Sequence, residues 1–315
     1  MDKIFITRIL PDVKLINKLK EHFKVEVWEK SSPPTAKELL MKSKDCWGIL
    51  TMLTERIDSD FIIKNQKLKI IANMAVGFDN IDIKAAKKQK IMVTNTPDVL
   101  TESTAELTFA LLLLMAKRLP EANQAILNDQ WGPWHPNWML GKDLKNANLG
   151  IIGPGKIGNA VAKIAKSFSM KINYYGRKPK IDFPGNYMQL EKLLATSDYI
   201  SIHLSLNSET NHFLNAKHFK KMKQDAILIN TSRGKIINQD DLLQAIQRNE
   251  IGGAALDVTD PEPIDSSSPL LQMQNLFVSP HLGSATKATR YKMAAMAIDN
   301  LISYKIKNYC PNAII

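Results

Sequence analysis

The chain has 315 residues, enough for two domains or one large one, and a hydrophobic content of 44% that can fill a sizeable core. The formal charge is +11 and the sequence pI about 9.4, but the lysines are scattered with no polybasic block, so the charge reads as a solvated surface that draws anionic substrates rather than a nucleic-acid footprint. Cys46 and Cys310 match no metal-ligand spacing and fit a reducing compartment. Met1 leads straight into Ile4-Phe5-Ile6 without a signal peptide, and the longest apolar run, 107–116, is too short for a bilayer. A cytoplasmic protein with no membrane partner is expected.

In chain order, 3–9 reads as a strand and 12–23 as a helix with Leu15, Ile16 and Leu19 on one face. A strand over 25–28 follows, then the breaker Ser31-Ser32-Pro33-Pro34 and a helix capped by Thr35. Strands over 47–50 and 68–73 continue the alternation, which predicts a small parallel sheet. The loop Asn73-Met74-Ala75-Val76-Gly77-Phe78-Asp79 leaves the fourth strand where open α/β sheets place ligands. A strand over 91–93 precedes one long helix over 101–119. Trp131, Trp134 and Trp138 then cluster in an irregular segment, either tucked against the local core or forming a subunit interface.

The alternation resumes with strands over 149–152, 171–175, 199–203, 226–230, 253–256 and 276–278, and with helices from 160 to 168, over 190–195 and over 239–248. This is the pattern of a doubly wound dinucleotide domain. A final helix over 284–306 packs back on the first domain.

The motif around which the second domain is arranged is Gly153-Pro154-Gly155-Lys156-Ile157-Gly158, between an apolar strand and an amphipathic helix. Gly153 allows a tight turn, Gly155 lets the backbone approach a pyrophosphate, and Gly158 lets helix pack on strand, with the helix N-terminus facing the phosphates. The alternative is a strand-to-helix turn with glycines for sterics alone. The next strand ends in Tyr175-Gly176-Arg177-Lys178-Pro179. An NAD site usually carries Asp or Glu there for the ribose hydroxyls. Gly176 offers none, and Arg177 and Lys178 suit a 2′-phosphate, so NADPH is expected in preference to NADH. Pro154, having no N–H, tunes phosphate binding rather than abolishing it.

Arg233 follows a buried strand in Asn230-Thr231-Ser232-Arg233-Gly234 and can fork onto a carboxylate or polarise a carbonyl. Glu262 lies in Asp260-Pro261-Glu262-Pro263 and His281 in Ser279-Pro280-His281-Leu282-Gly283. His281 alone is more often structural; the constellation suggests a histidine general acid/base whose imidazolium is held by Glu262.

These motifs resemble the D-isomer-specific 2-hydroxyacid dehydrogenase family over essentially the whole chain. Within it, Thr96-Pro97-Asp98-Val99-Leu100-Thr101, Gly176-Arg177-Lys178-Pro179, Leu256-Asp257-Val258-Thr259-Asp260-Pro261-Glu262-Pro263 and His281-Leu282-Gly283-Ser284-Ala285-Thr286 are most similar to the glyoxylate/hydroxypyruvate reductases. The resemblance implies an α/β fold of two Rossmann-like doubly wound parallel-sheet domains with the active site in the cleft between them. It implies a discontinuous substrate-binding domain, 1–100 plus 284–315, and an NAD(P)-binding domain, 101–283. It implies a catalytic trio of Arg233, Glu262 and His281, with substrate carboxylate on Val76, Gly77 and Arg233. It also implies Gly153, Gly155, Lys156, Ile157, Gly158, Gly176, Arg177 and Lys178 around the cofactor, with Ser205, Thr231, Asp257 and Gly283 on the nicotinamide side. The expected substrate is a small 2-oxo acid, the expected assembly a homodimer, and no metal is called for. Two alternatives stand: a reductase of a larger 2-oxo acid, decided by loops such as Met52-Leu53, or a nucleotide-sensing, corepressor-like binding protein on the same fold.

Overall fold

The computed structural model describes residues 1–315, which divide into two compact units, Met1–Leu100 with Ala285–Ile315, and Thr101–Ser284. In the first unit β1 (Lys3–Ile6), β2 (Lys24–Val27), β3 (Gly48–Thr51), β4 (Ile70–Asn73) and β5 (Met92–Thr94) form one parallel sheet in the order β2-β1-β3-β4-β5. Helices α1 (Val13–Lys20), α2 (Ala36–Ser43), α3 (Ser59–Lys64) and α4 (Ile83–Lys88) connect successive strands. Each begins where a short polar side chain, Asp12, Thr35, Asp58 or Asp82, accepts a hydrogen bond from an N–H of its first turn. The strands are apolar on both faces, with Ile4, Phe5, Ile6, Ile49, Leu50, Ile70 and Ile71 wholly buried, as a sheet covered on two sides requires.

Strand order reverses between β1 and β3, and the loops leaving their carboxyl ends open the crevice where such sheets take ligands. Glu55 holds these loops together. Its buried carboxylate accepts from Thr7 Oγ1 at 2.6 Å and from the Met52 N–H at 2.7 Å, with Arg8 Nη1 3.2 Å away.

In the second unit α5 (Thr101–Ala116) and α6 (Leu119–Leu127) precede a seven-stranded parallel sheet. The strands are β6 (Asn148–Ile152), β7 (Lys171–Tyr175), β8 (Asn186–Tyr187), β9 (Tyr199–Ile202), β10 (Ile227–Asn230), β11 (Gly253–Leu256) and β12 (Leu276–Val278), and the order is β12-β11-β10-β9-β6-β7-β8. Helices α7 (Lys156–Ser167), α8 (Leu190–Thr196), α9 (Ala216–Phe219) and α10 (Gln239–Gln247) complete the winding. The order reverses between β6 and β9, so the glycine motif that follows β6 stands at the switch point. Apolar α5 packs on α7, β10 and β11. The last helix, α11 (Lys287–Lys307), belongs to the first unit and packs on α1, β3 and β4.

Three sequence expectations need correction. The helix expected over 101–119 ends at Ala116, and α6 starts separately at Leu119. Arg118 takes a left-handed conformation (φ 52°) and Pro120 sits in the first turn of α6, where its missing N–H leaves no gap; inside a continuous helix it would break the ladder. The helix after the glycine motif starts at Lys156 rather than 160, so Gly158 lies inside its first turn. Trp131, Trp134 and Trp138 are not tucked against a local core: their exposures are 68, 87 and 40%. No helix is long and apolar enough to cross a membrane.

Candidate active site

The glycine motif forms the turn from β6 into α7. Gly153 has φ 98°, and a Cβ there would lie 2.5 Å from the His203 carbonyl oxygen. Its N–H donates to the Tyr175 carbonyl at 3.0 Å, so the loop is pinned between the ends of β7 and β9. His203, in turn, sets its Nε2 2.8 Å from Ser201 Oγ, and burial pushes its pKa down to about 3. A Cβ on Gly158 would strike the Gly153 carbonyl oxygen, which keeps that position in α7 a glycine. At Gly155, the N-cap of α7, a Cβ would meet nothing within 4 Å, and no side chain caps the helix. That open cradle beside the first-turn amides of Lys156, Ile157 and Gly158 fits a dinucleotide pyrophosphate. Gly176 follows β7, and Arg177 and Lys178 after it are exposed.

A histidine–glutamate pair, His281 and Glu262, lies at the carboxyl end of the same sheet. His281 Nδ1 is 2.5 Å from Glu262 Oε1, and both side chains are about one quarter to one third exposed, at 24 and 34%. His281 has φ 55°, a left-handed conformation that a non-glycine residue holds only when its surroundings fix it. Asp257 fixes them. Its buried carboxylate accepts from Ser279 Oγ at 2.6 Å and from the N–H groups of Leu282 and Gly283 at 2.7 and 2.8 Å. Its carbonyl accepts from the His281 N–H at 3.0 Å. A recess of about 380 Å³ opens beside the pair, lined by Asp257, Thr259, Glu262, Ile264, Val278 and His281 among others.

Arg233 leaves β10 in an extended conformation, half-buried, with Nη1 donating to the Ser232 carbonyl at 2.8 Å. Asn230 Nδ2 donates to the Arg233 carbonyl at 2.9 Å. Gly234 presses against the Thr259 backbone so closely that a Cβ would overlap it, which ties the arginine loop to the segment leading to Glu262.

Two of the residues expected on the nicotinamide side, Thr231 and Gly283, are held by α5. Thr231 Oγ1 is 2.8 Å from Thr108 Oγ1, and Thr104 Oγ1 donates to the Gly283 carbonyl at 3.0 Å. Ser205 lies in the exposed loop after β9, its carbonyl accepting from Thr210 Oγ1 at 2.7 Å. Sequence reasoning missed Thr104 and Thr108. Two hydroxyls one turn apart mark a shared face of α5, but nothing in the sequence says which groups lie opposite them.

In the first unit Val76 and Gly77 follow β4. The carbonyls of Ala75, Val76 and Gly77 accept from Thr96 N, Asn95 Nδ2 and Asn73 Nδ2, each at 2.9 Å. In a trans peptide the N–H opposes the carbonyl, so the amides of Val76, Gly77 and Phe78 all turn away from these partners. Asn95 is the second omission, an orienting side chain distant in sequence from the loop it shapes. No group of three or more His, Cys, Asp or Glu side chains is arranged to hold a metal ion.

A glycine loop at the switch point and a histidine–glutamate pair at the carboxyl edge of one parallel sheet are compatible with a nicotinamide-dependent oxidoreductase. Comparison with known proteins narrows the class. Residues 109–283 match the model of the D-isomer specific 2-hydroxyacid dehydrogenase NAD binding domain. The glyoxylate reductase of Korarchaeum cryptofilum is 43% identical over 99% of this chain and 95% of its own. A Thermus thermophilus crystal structure superposes with a TM-score of 0.94 at 40% identity, covering 99% of this chain and 100% of that one. The NADPH-dependent glyoxylate/hydroxypyruvate reductase of Sinorhizobium meliloti, solved with NADP and malonate, superposes at 0.86 with 28% identity, covering 99% and 96%. The chain belongs to the D-isomer specific 2-hydroxyacid dehydrogenase family. It is an NAD(P)-dependent oxidoreductase that reduces a 2-oxo acid.

Proposed function

We propose that the protein is an NADPH-dependent reductase of glyoxylate and hydroxypyruvate, yielding glycolate and D-glycerate. The observation that carries the acid–base part of this reading is the 2.5 Å contact between His281 Nδ1 and Glu262 Oε1 at the edge of the dinucleotide sheet. With Nδ1 engaged by the carboxylate, Nε2 is the ring atom left to give a proton to the alkoxide forming at C2. Glu262 fixes the ring and balances the imidazolium charge. Arg233 supplies a permanent charge toward the substrate carboxylate and the C2 carbonyl, so negative charge developing on oxygen is met by a preorganised donor. The reduced nicotinamide, when bound, supplies the hydride.

The amides of Val76 and Gly77 are the proposed seat of the substrate carboxylate. Support comes from the three successive carbonyls tied back by Thr96, Asn95 and Asn73, which leave these amides as the loop's available donors. The NADPH preference is supported by Gly176, Arg177 and Lys178 at the end of β7, with no carboxylate at the strand end to meet ribose hydroxyls. The names of the relatives from Korarchaeum cryptofilum and Sinorhizobium meliloti support the small substrate. A homodimer working in the cytoplasm completes the reading; the exposed tryptophans of 131–138 support the dimer.

The test is a panel of 2-oxo acids of increasing side-chain size, each assayed with NADPH and with NADH. The reading expects glyoxylate and hydroxypyruvate to have the highest kcat/KM, and with NADPH. A bulkier 2-oxo acid ahead of both would overturn the substrate assignment.

A further inference from the structure

Gly176 stands where a dinucleotide site carries its ribose-binding side chain, and the reason it is glycine lies in the phosphate loop. A Cβ built on Gly176 falls 2.8 Å from both Cδ and Cγ of Pro154, while its next neighbour, the Lys178 carbonyl oxygen, is 3.8 Å away. Carbon atoms in contact settle at about 3.5–4.0 Å, so the pyrrolidine ring already occupies the space that any side chain at 176 needs. Gly176 is not in the left-handed region, so its backbone does not demand glycine; the proline does.

Neither partner can step aside. The proline ring is closed on its own backbone and has no rotamer to escape into. The Gly153 N–H bond to the Tyr175 carbonyl fixes the loop against the end of β7, one residue before Pro154 and one before Gly176. On the far side, the His203 carbonyl oxygen lies 2.5 Å from where a Cβ on Gly153 would stand, so the loop has a close backbone neighbour there.

We propose that Pro154 is a specificity-determining residue: its ring keeps position 176 free of any side chain, and thereby keeps a carboxylate off the edge where Arg177 and Lys178 would receive a 2′-phosphate. The proposal rests on the NADPH reading for its biological sense, but its steric core stands without it. It explains at one stroke the proline between the first two glycines and the missing acid at the strand end, two departures that the sequence presents as unrelated. It also means that exchange of cofactor preference takes two substitutions, because an aspartate at 176 collides with the proline before it can meet a ribose.

The experiment is a double-substitution cycle on the full-length protein, read first without cofactor. Gly176→Ala adds only a methyl group. With Pro154 present it should lower Tm by at least about 2 °C, the response to overpacking a rigid contact in a domain of this size. In the Pro154→Ala background the same change should move Tm by less than about 1 °C. Should Gly176→Ala prevent folding outright, recovery of a folded protein by Pro154→Ala/Gly176→Ala supports the coupling, and failure to recover it overturns it. Equal Tm losses in the two backgrounds, or no loss in either, also overturn it.

Cofactor dissociation constants then test the specificity step. Gly176→Asp alone should weaken both NADPH and NADH, whereas Pro154→Ala/Gly176→Asp should shift the ratio of the two toward NADH by at least about tenfold relative to Pro154→Ala. A full shift from Gly176→Asp alone, with Tm unchanged, contradicts the proposal. If wild type itself binds NADH more tightly, the NADPH reading fails, and the cofactor-free Tm cycle still decides the steric one.

Discussion

His281 is held in place by Asp257 and oriented by Glu262, and the two supports act on different atoms. Asp257 takes the hydroxyl of Ser279 and three backbone N–H groups of 281–283, two on its carboxylate and one on its carbonyl, so it sets where the histidine backbone sits. Glu262 touches the ring itself. Replacing Asp257 by asparagine leaves at least one buried N–H facing an amide NH2, at a cost of about 1–3 kcal/mol. That variant should lose both Tm and turnover, because the left-handed conformation at 281 loses its clamp. His281→Ala should differ: turnover falls by at least ~10²-fold while NADPH affinity and Tm stay near wild type. A His281→Ala protein that loses cofactor affinity in proportion to turnover would make the residue structural. Arg233, Glu262 and His281 could be picked out in the sequence because each lies in a turn-rich segment that follows a strand, where open α/β sheets place ligands. Asn95 and Thr104 could not, since what matters about them is which backbone carbonyl or hydroxyl lies opposite, and that partner is distant in the chain: Asn95 reaches Val76, and Thr104 reaches Gly283.

At the scale of elements, the short apolar strands were legible because each is a run buried on both faces. Helices α3, α4 and α9, with six, six and four residues, and the two-residue β8 were not, because so few residues complete too little of a period to register. The break between α5 and α6 was legible in principle from Pro120 and from the end of the apolar run at Ala116, but Lys117 and Arg118 are good helix formers and give no sign of it. The end of α6 and the segment after it are rich in exposed apolar side chains. Ile126, Leu127, Trp131, Trp134 and Leu140 are all more than half exposed, a density of large apolar side chains that favours a partner. If that partner is a second copy, Trp131→Ala and Trp134→Ala should weaken self-association in sedimentation velocity, each by about tenfold or more if it anchors the contact. Variants that associate as tightly as wild type would remove the tryptophans from the interface.

For the whole molecule, two parallel sheets serve two tasks with the same device, a change of strand order that opens a crevice at the carboxyl ends. In the first unit the reversal between β1 and β3 carries the Glu55 network and the Met52-Leu53 loop. In the second it lies between β6 and β9 and carries the phosphate loop. This pairing follows from the alternation of strands and helices, which is why the fold class was readable from sequence. The central claim is that the second unit selects NADPH for reduction of a small 2-oxo acid. The most direct measurement is kcat/KM for glyoxylate with NADPH and with NADH, in wild type and in Arg177→Ala. A charge-assisted hydrogen bond contributes about 1.5–3 kcal/mol, roughly ten- to more than a hundredfold. Wild type should favour NADPH, and Arg177→Ala should reduce kcat/KM with NADPH by a factor near the lower end of that range, since the group is solvated, with NADH little changed. A wild type that uses NADH equally well, or an Arg177→Ala variant impaired equally with both, would contradict it.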